Sequence, residues 1–123
     1  MLFGATQGKI WGTTRPIFHG NNVECHLIHF NKGGYCSQHT HNSKFNRFVV
    51  LNGVLRISQC VNKTVDKTIL EEGDICDIPP GIEHRFEALT DGCALEVYWV
   101  ELDPNDIDRH GSVGGENFIG APE

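Results

Sequence analysis

What most constrains this chain is how its apolar residues are grouped. Helical periodicity is nearly absent, and the apolar residues come in runs of four to eight, cut at short intervals by turn residues. The runs span 23–30, 45–51, 54–61, 64–70, 75–78, 84–89 and 94–102, and they are rich in Val, Ile, Phe, Tyr and Trp. Between them stand Asn31-Lys32-Gly33-Gly34, Asn52-Gly53, Asn62-Lys63, Gly73-Asp74, Pro79-Pro80-Gly81 and Asp91-Gly92, residues that tolerate positive φ or preset a turn. Asn52-Gly53, flanked by two such runs, predicts a two-residue hairpin with a type I′ turn. Seven or eight short strands with no helical crossover predict an all-β fold, an antiparallel sandwich or barrel.

At 123 residues the chain fits one domain and can bury a core without disulfide staples. Sixteen acidic against ten basic residues leave a net charge of −6, which is a poor match for a phosphate backbone, so no nucleic acid is expected as a partner. No apolar run is long enough to span a bilayer, and the first residues lack the basic-then-apolar order of a signal peptide, so no membrane partner is expected. The five cysteines are odd in number and none forms C-x-x-C, which fits small buried hydrophobes in a reducing cytoplasmic setting.

Seven histidines are more than packing requires, and three are placed unlike the rest. His39 and His41 are two apart, which in a strand puts both imidazoles on one face, where they can converge on one ion. Asn46 shares its face with Phe48 and Val50, and His84 opens a later strand just after Pro79-Pro80-Gly81.

These residues resemble the cupin family, whose motifs read G-x5-H-x-H-x3,4-E-x6-G and G-x5-P-x-G-x2-H-x3-N. Here Gly33, His39, His41, Asn46 and Gly53 follow the first spacing, and Gly73, Pro79, Gly81, His84 and Ala88 follow the second. All but two positions match in type, and 19 residues separate the motifs. The resemblance implies a jelly-roll β-barrel over residues 23–102, preceded by an extended N-terminal arm (1–22) and followed by a polar C-terminal tail (103–123). It also implies a divalent metal, Fe, Mn, Ni or Zn, on His39, His41 and His84. The family's Glu position is Asn46, whose neutral amide is a weaker donor than a carboxylate. Asn46 is left three roles: weak ligand, partner of a metal-bound water, or bystander to a three-His site. A metal-free barrel whose histidines hydrogen-bond a ligand is the alternative.

The chain also looks like the cupin domain of type II mannose-6-phosphate isomerases, through Trp11-Gly12, Ser37-Gln38-His39, Ile78-Pro79-Pro80-Gly81, His84-Arg85-Phe86-Glu87 and Asp106-Ile107-Asp108-Arg109. That family has Glu-His-Trp where this chain has Asn46-Arg47-Phe48, so the architecture and a taste for sugar-like ligands carry over more readily than the isomerase activity.

Phe48, Phe86, Lys44 and Tyr98 are the candidate substrate pocket. Arg47 and Arg85 point away from the ligand face by alternation. Glu96 and Glu83 are the nearest candidates for a general base. His26 and His29 fall on opposite faces of a strand; one of them could line the barrel, but a hydrogen-bonded structural role is the stronger reading, and His19 and His110 read as solvated. Cys36, three residues before His39, would need a base to act as a nucleophile. Two function classes follow. One is a metal-dependent enzyme, an isomerase, lyase or dioxygenase acting on a sugar-like or small polar substrate. The other is a non-catalytic cupin that binds such a ligand. Cupin barrels commonly pair, and Ile10-Trp11 is a candidate contact of a homodimer.

Overall fold

Alternation along each strand decides which residues meet inside. The structure, a computed structural model, describes residues 4–101, 105, 106 and 116. These residues form nine strands: β1 (Gln7–Lys9), β2 (Gly12–His19), β3 (Val23–Phe30), β4 (Phe45–Asn52), β5 (Leu55–Val61), β6 (Thr64–Leu70), β7 (Ile75–Ile78), β8 (Glu83–Ala88) and β9 (Gly92–Trp99). All pairings are antiparallel, in a six-stranded sheet ordered β1-β2-β3-β9-β4-β7 and a three-stranded sheet ordered β6-β5-β8. The architecture is the expected all-β cupin jelly roll. No helix among the described residues is long and apolar enough to cross a membrane.

The extended N-terminal arm is hydrogen-bonded into the larger sheet as β1 and β2, with Gly12–Pro16 paired to His26–Phe30. Of the tail 103–123 only 105, 106 and 116 are described, so the Ile107-Asp108-Arg109 likeness and His110 lie outside the described residues.

Asn52-Gly53 does not make the expected hairpin. Strand β4 is already paired on both edges, by β7 and β9, so no edge remains for β5, which joins the other sheet. A bulge between Val50 and Asn52 bends the strand out, and Gly53 turns the corner at φ +84. A Cβ there would lie 2.4 Å from the Asp91 carbonyl oxygen, so the corner needs glycine for space as well as conformation. The two-residue hairpin lies instead at Asn62-Lys63, both at positive φ (50 and 64), with Val61 paired to Thr64.

Inward-facing residues change character along each strand. Register places Phe30 opposite Gly92, Ile28 opposite Ala94, His26 opposite Glu96 and Glu24 opposite Tyr98. On the other side of β9, Val50 faces Ala94, Phe48 faces Glu96 and Asn46 faces Tyr98. Strand β8 repeats the gradient as Ala88, Phe86, His84, all buried. One end of the sandwich is therefore a dry core of Ile28, Phe30, Val50, Leu55, Ile57 and Ala94, and the other end is lined by polar groups.

Candidate metal centre

The polar end is assembled by main-chain pairing between the two motif segments. The chain from Gly33 to His39 runs antiparallel to β8: Gly33 N–H donates to Ala88, Cys36 N–H to Phe86, and His39 and His84 exchange two backbone hydrogen bonds of 3.0 and 2.9 Å. Gly81 N–H donates to the His41 carbonyl at 2.8 Å, which fixes the turn ahead of β8 against the first motif. His39 and His41 therefore lie in an extended segment bridged to β8 rather than in a full strand, and the expected convergence still holds.

The three imidazoles meet. Ring centroids are 4.5 Å apart for His39 and His84, 4.8 Å for His39 and His41, and 5.3 Å for His41 and His84. One ring nitrogen from each lies within 4.8 Å of the others. His39 Nδ1 donates to the Ser37 carbonyl at 2.7 Å and His84 Nδ1 to the Ile82 carbonyl at 2.8 Å. A carbonyl only accepts, so each neutral ring carries its proton on Nδ1 and turns a lone pair out through Nε2. The Nε2 atoms of His41 and His84 are buried with no partner, as is Asn46 Oδ1. Burial, with His39, Lys44 and His84 beside it, pulls the His41 pKa down to about 4, and burial likewise lowers that of His84. Neutral imidazoles with orphaned lone pairs around one point are a donor set that fits a divalent transition metal.

Asn46 is 0% exposed, and its Nδ2 leans on the Val97 carbonyl at 3.4 Å. That weak bond directs the amide proton side to the backbone and leaves Oδ1 as the acceptor.

Beside the imidazoles opens a cavity of about 830 Å³, lined among others by His39, Lys44, Phe86, Glu96 and Tyr98. Lys44 Nζ sits 4.3 Å from the Tyr98 ring centroid, and the same ring meets His41 edge-on at 5.2 Å. Of the four expected pocket residues, Phe48 is the exception: it lies in the core, packed edge-on against Phe86 at 5.8 Å, and does not line the cavity. Glu96 faces the cavity, and burial raises its carboxyl pKa, with the Tyr98 hydroxyl as its partner. Glu83 is exposed on the outer face. Arg47 pairs with Asp77 at 2.6 Å outside the sandwich, and Arg85 approaches Glu87 at 3.6 Å, as alternation required.

Cys36 lines the cavity but is not part of the histidine cluster. Its sulfur accepts the Phe86 N–H at 3.2 Å, and burial pushes its pKa up to about 11, which leaves it a protonated thiol. All five cysteines are free. Trp11 is buried edge-on to Phe86 at 4.9 Å, so of the candidate dimer contact only Ile10 is presented to solvent.

Sequence reasoning missed two contributions. The β1–β2 hairpin supplies Gln7, Lys9 and Thr14 to the cavity wall, and nothing in its composition marks it as such. His26, read first as a hydrogen-bonded structural residue and second as a barrel-lining one, is both: it bonds Glu24 at 3.1 Å and lines the cavity. Alternation with Ile28 and Phe30 was the available signal for it.

Residues 26–101 match the sequence profile of the family described as Cupin domain. No curated protein matches the sequence. Among solved structures, KdgF from Halomonas sp. superposes with a TM-score of 0.70 at 17% identity, over 84% of this chain and 96% of that one. An RmlC-like cupin from Shewanella frigidimarina gives 0.68 at 17% identity, covering 80% and 85%. An oxalate decarboxylase variant from Bacillus subtilis gives 0.71 at 17% identity over 79% of this chain, which spans only 27% of that enzyme. A further structure of that decarboxylase, with a TM-score of 0.72, was described for its Mn(II) centres.

Proposed function

This chain belongs to the cupin family, and from that premise we propose that it holds a divalent transition metal on His39, His41 and His84 and binds a small polar molecule in the adjoining cavity. The observation that carries this reading is the pair of buried, unpartnered Nε2 atoms of His41 and His84, beside His39, with the Nδ1 protons of His39 and His84 tied to backbone carbonyls. Buried polar atoms without partners are costly, and a shared cation satisfies them together. The Mn(II) centres of the decarboxylase neighbour support a metal on this fold.

When bound, such an ion acts as a Lewis acid on a ligand oxygen or lowers the pKa of a bound water. The chain's own groups complete the site. Glu96, with the Tyr98 hydroxyl beside it, is the carboxyl placed to take or give a proton in the cavity, and its burial keeps it nearer neutral pH than a solvated glutamate. Trp11 and Phe86 give an apolar wall, and His26 and Thr14 give hydrogen-bonding groups. This arrangement suits isomerase, lyase or dioxygenase chemistry on a sugar-like or small polar substrate. The isomerase reading takes support from the mannose-6-phosphate isomerase motifs. Five free cysteines fit a cytoplasmic protein, and Ile10, 100% exposed at the β1–β2 tip, fits a homodimer contact, for which sedimentation as a dimer is the check.

A second reading rests on Asn46. Without the motif's carboxylate the centre keeps one more positive charge and loses a donor, which favours binding over turnover. Metal analysis joined to a screen of isomerisation, elimination and O₂ uptake separates the two. Turnover lost in His84→Ala supports the enzyme; ligand binding with no turnover supports the binding protein. A preparation that takes up no divalent metal contradicts the reading.

A further inference from the structure

Strand β9 is more apolar on its outer side than on its inner one. Inward it presents Ala94, Glu96 and Tyr98 to the core and the cavity; outward it turns Cys93, Leu95, Val97 and Trp99. Register carries the same pattern across the six-stranded sheet. Leu95 has Leu27 on one side and Val49 on the other, Val49 is followed by Ile75 on the edge strand, and Trp99 stacks on Phe45 at 5.2 Å. An antiparallel sheet with one face in water puts polar residues on that face. The three-stranded sheet comes closer to that rule, with Arg56, Lys67, Arg85 and Glu87 outward among Val65 and Ile69. On the larger sheet the one carboxylate turned outward is Asp77, and Arg47 pairs with it at 2.6 Å. That guanidinium also lies over the Trp99 ring, 5.2 Å from the centroid, and Arg15 on β2 is the only other charged lysine, arginine or acid turned outward.

We propose that this face seats the same face of a second copy, giving a two-fold dimer with the larger sheets back to back. The inference rests on the homodimer reading above and gives that dimer its main contact surface, beyond Ile10. Area is the first argument. Four of the strands are eight residues long, and at about 4.8 Å between strands and about 3.3 Å per residue they make a face of roughly 500 Å² in plane. The relief of the side chains brings its accessible surface toward the ~800 Å² per partner of a standard interface. Charge is the second. The chain carries −6, so copies repel unless they meet where the carboxylates are few and neutralised, and this face is such a place. A partner of strongly opposite charge would find almost no ionic contacts here, whereas a two-fold axis brings up the same near-neutral, apolar surface. The stacked Trp99 and Phe45, with Arg47 over the indole, are the residue types that anchor the cores of interfaces.

The test is sedimentation of the full chain over a micromolar dilution series, with circular dichroism to verify folding. Wild type is expected to sediment at twice the 13.7 kDa chain mass. Leu95→Lys, at the middle of the face, and Ile75→Lys, at an edge position already 55% exposed, are each expected to raise the dimer dissociation constant at least about tenfold. Val65→Lys, on the outer face of the smaller sheet, is expected to leave it unchanged. Should Leu95→Lys fail to fold, Ile75→Lys decides. A monomer at every concentration overturns the homodimer reading and this surface with it. A dimer that survives Ile75→Lys and Leu95→Lys unweakened, or that Val65→Lys weakens as much, overturns the surface alone and leaves the homodimer reading in place.

Discussion

An imidazole serves a cation only through a lone pair held in place, and here backbone carbonyls do the holding. Ser37 and Ile82 fix the protons of His39 and His84, so the lone pairs that the proposed ion would use are set by the main chain. On the proposed metal reading, Asn46 is the residue on which the affinity turns. Replacing it by Glu puts a carboxylate at a fully buried position, with opposite consequences in two states. Without metal the uncompensated charge destabilises the fold; with metal the added negative donor tightens binding, by about tenfold or roughly 1.4 kcal/mol. Asn46→Glu should therefore melt below wild type in chelator and gain more than wild type on adding Zn or Mn. Equal gains would remove position 46 from the centre. The three histidines and Asn46 were legible in the sequence because paired motif spacings mark them. His26 lies outside both motifs, and only its alternation with Ile28 and Phe30 along β3 pointed to the cavity.

At the scale of elements, two Asn-X turns that look alike in sequence do different work. Run lengths and turn residues made nearly every strand legible, yet which turn closes a hairpin depends on which strand edges are free, and that is a property of the sheets. Lys63 sits at φ 64 inside a hairpin, where a side chain is disfavoured by about 1–2 kcal/mol, partly offset by the lower chain entropy it brings. Lys63→Gly should stabilise by about 0.5 kcal/mol in urea denaturation. Gly53→Ala acts at a corner with no room for a methyl group, 2.4 Å from the Asp91 oxygen, and should cost about 2 kcal/mol or more. A neutral Gly53→Ala would mean that the corner is looser than described. The β1–β2 strands were read only as an arm because their residues are mostly polar and half-exposed, without the apolar run that marks the other strands.

Across the whole molecule, each inward face grades from apolar to polar in the same direction, so folding the core also gathers the polar ends into one cavity. Stability and site formation are thus coupled, and a bound ion should stabilise the fold by mass action, about 2.7 kcal/mol at a hundredfold excess over its dissociation constant. Acid stability has a separate origin on the outer face of the small sheet. The Arg56 guanidinium beside Glu87 holds its carboxyl below the ordinary value of 4.5. The unfolded chain binds that proton more readily, so the contribution is complete above about pH 4.5 and is lost as pH falls through the lower folded value. Glu87→Gln should therefore show a shallower loss of stability below pH 4.5 than wild type in stepwise acid denaturation; an identical slope would place the acid sensitivity elsewhere. The central claim, that distant imidazoles are brought together to share an ion, is tested most directly by elemental analysis of wild type and His84→Ala after equilibration with a mixture of Fe, Mn, Ni and Zn. The account predicts about one first-row metal ion per wild-type chain and an affinity at least about a hundredfold weaker in the variant. Equal metal content in the two proteins, or none in the wild type, would contradict it.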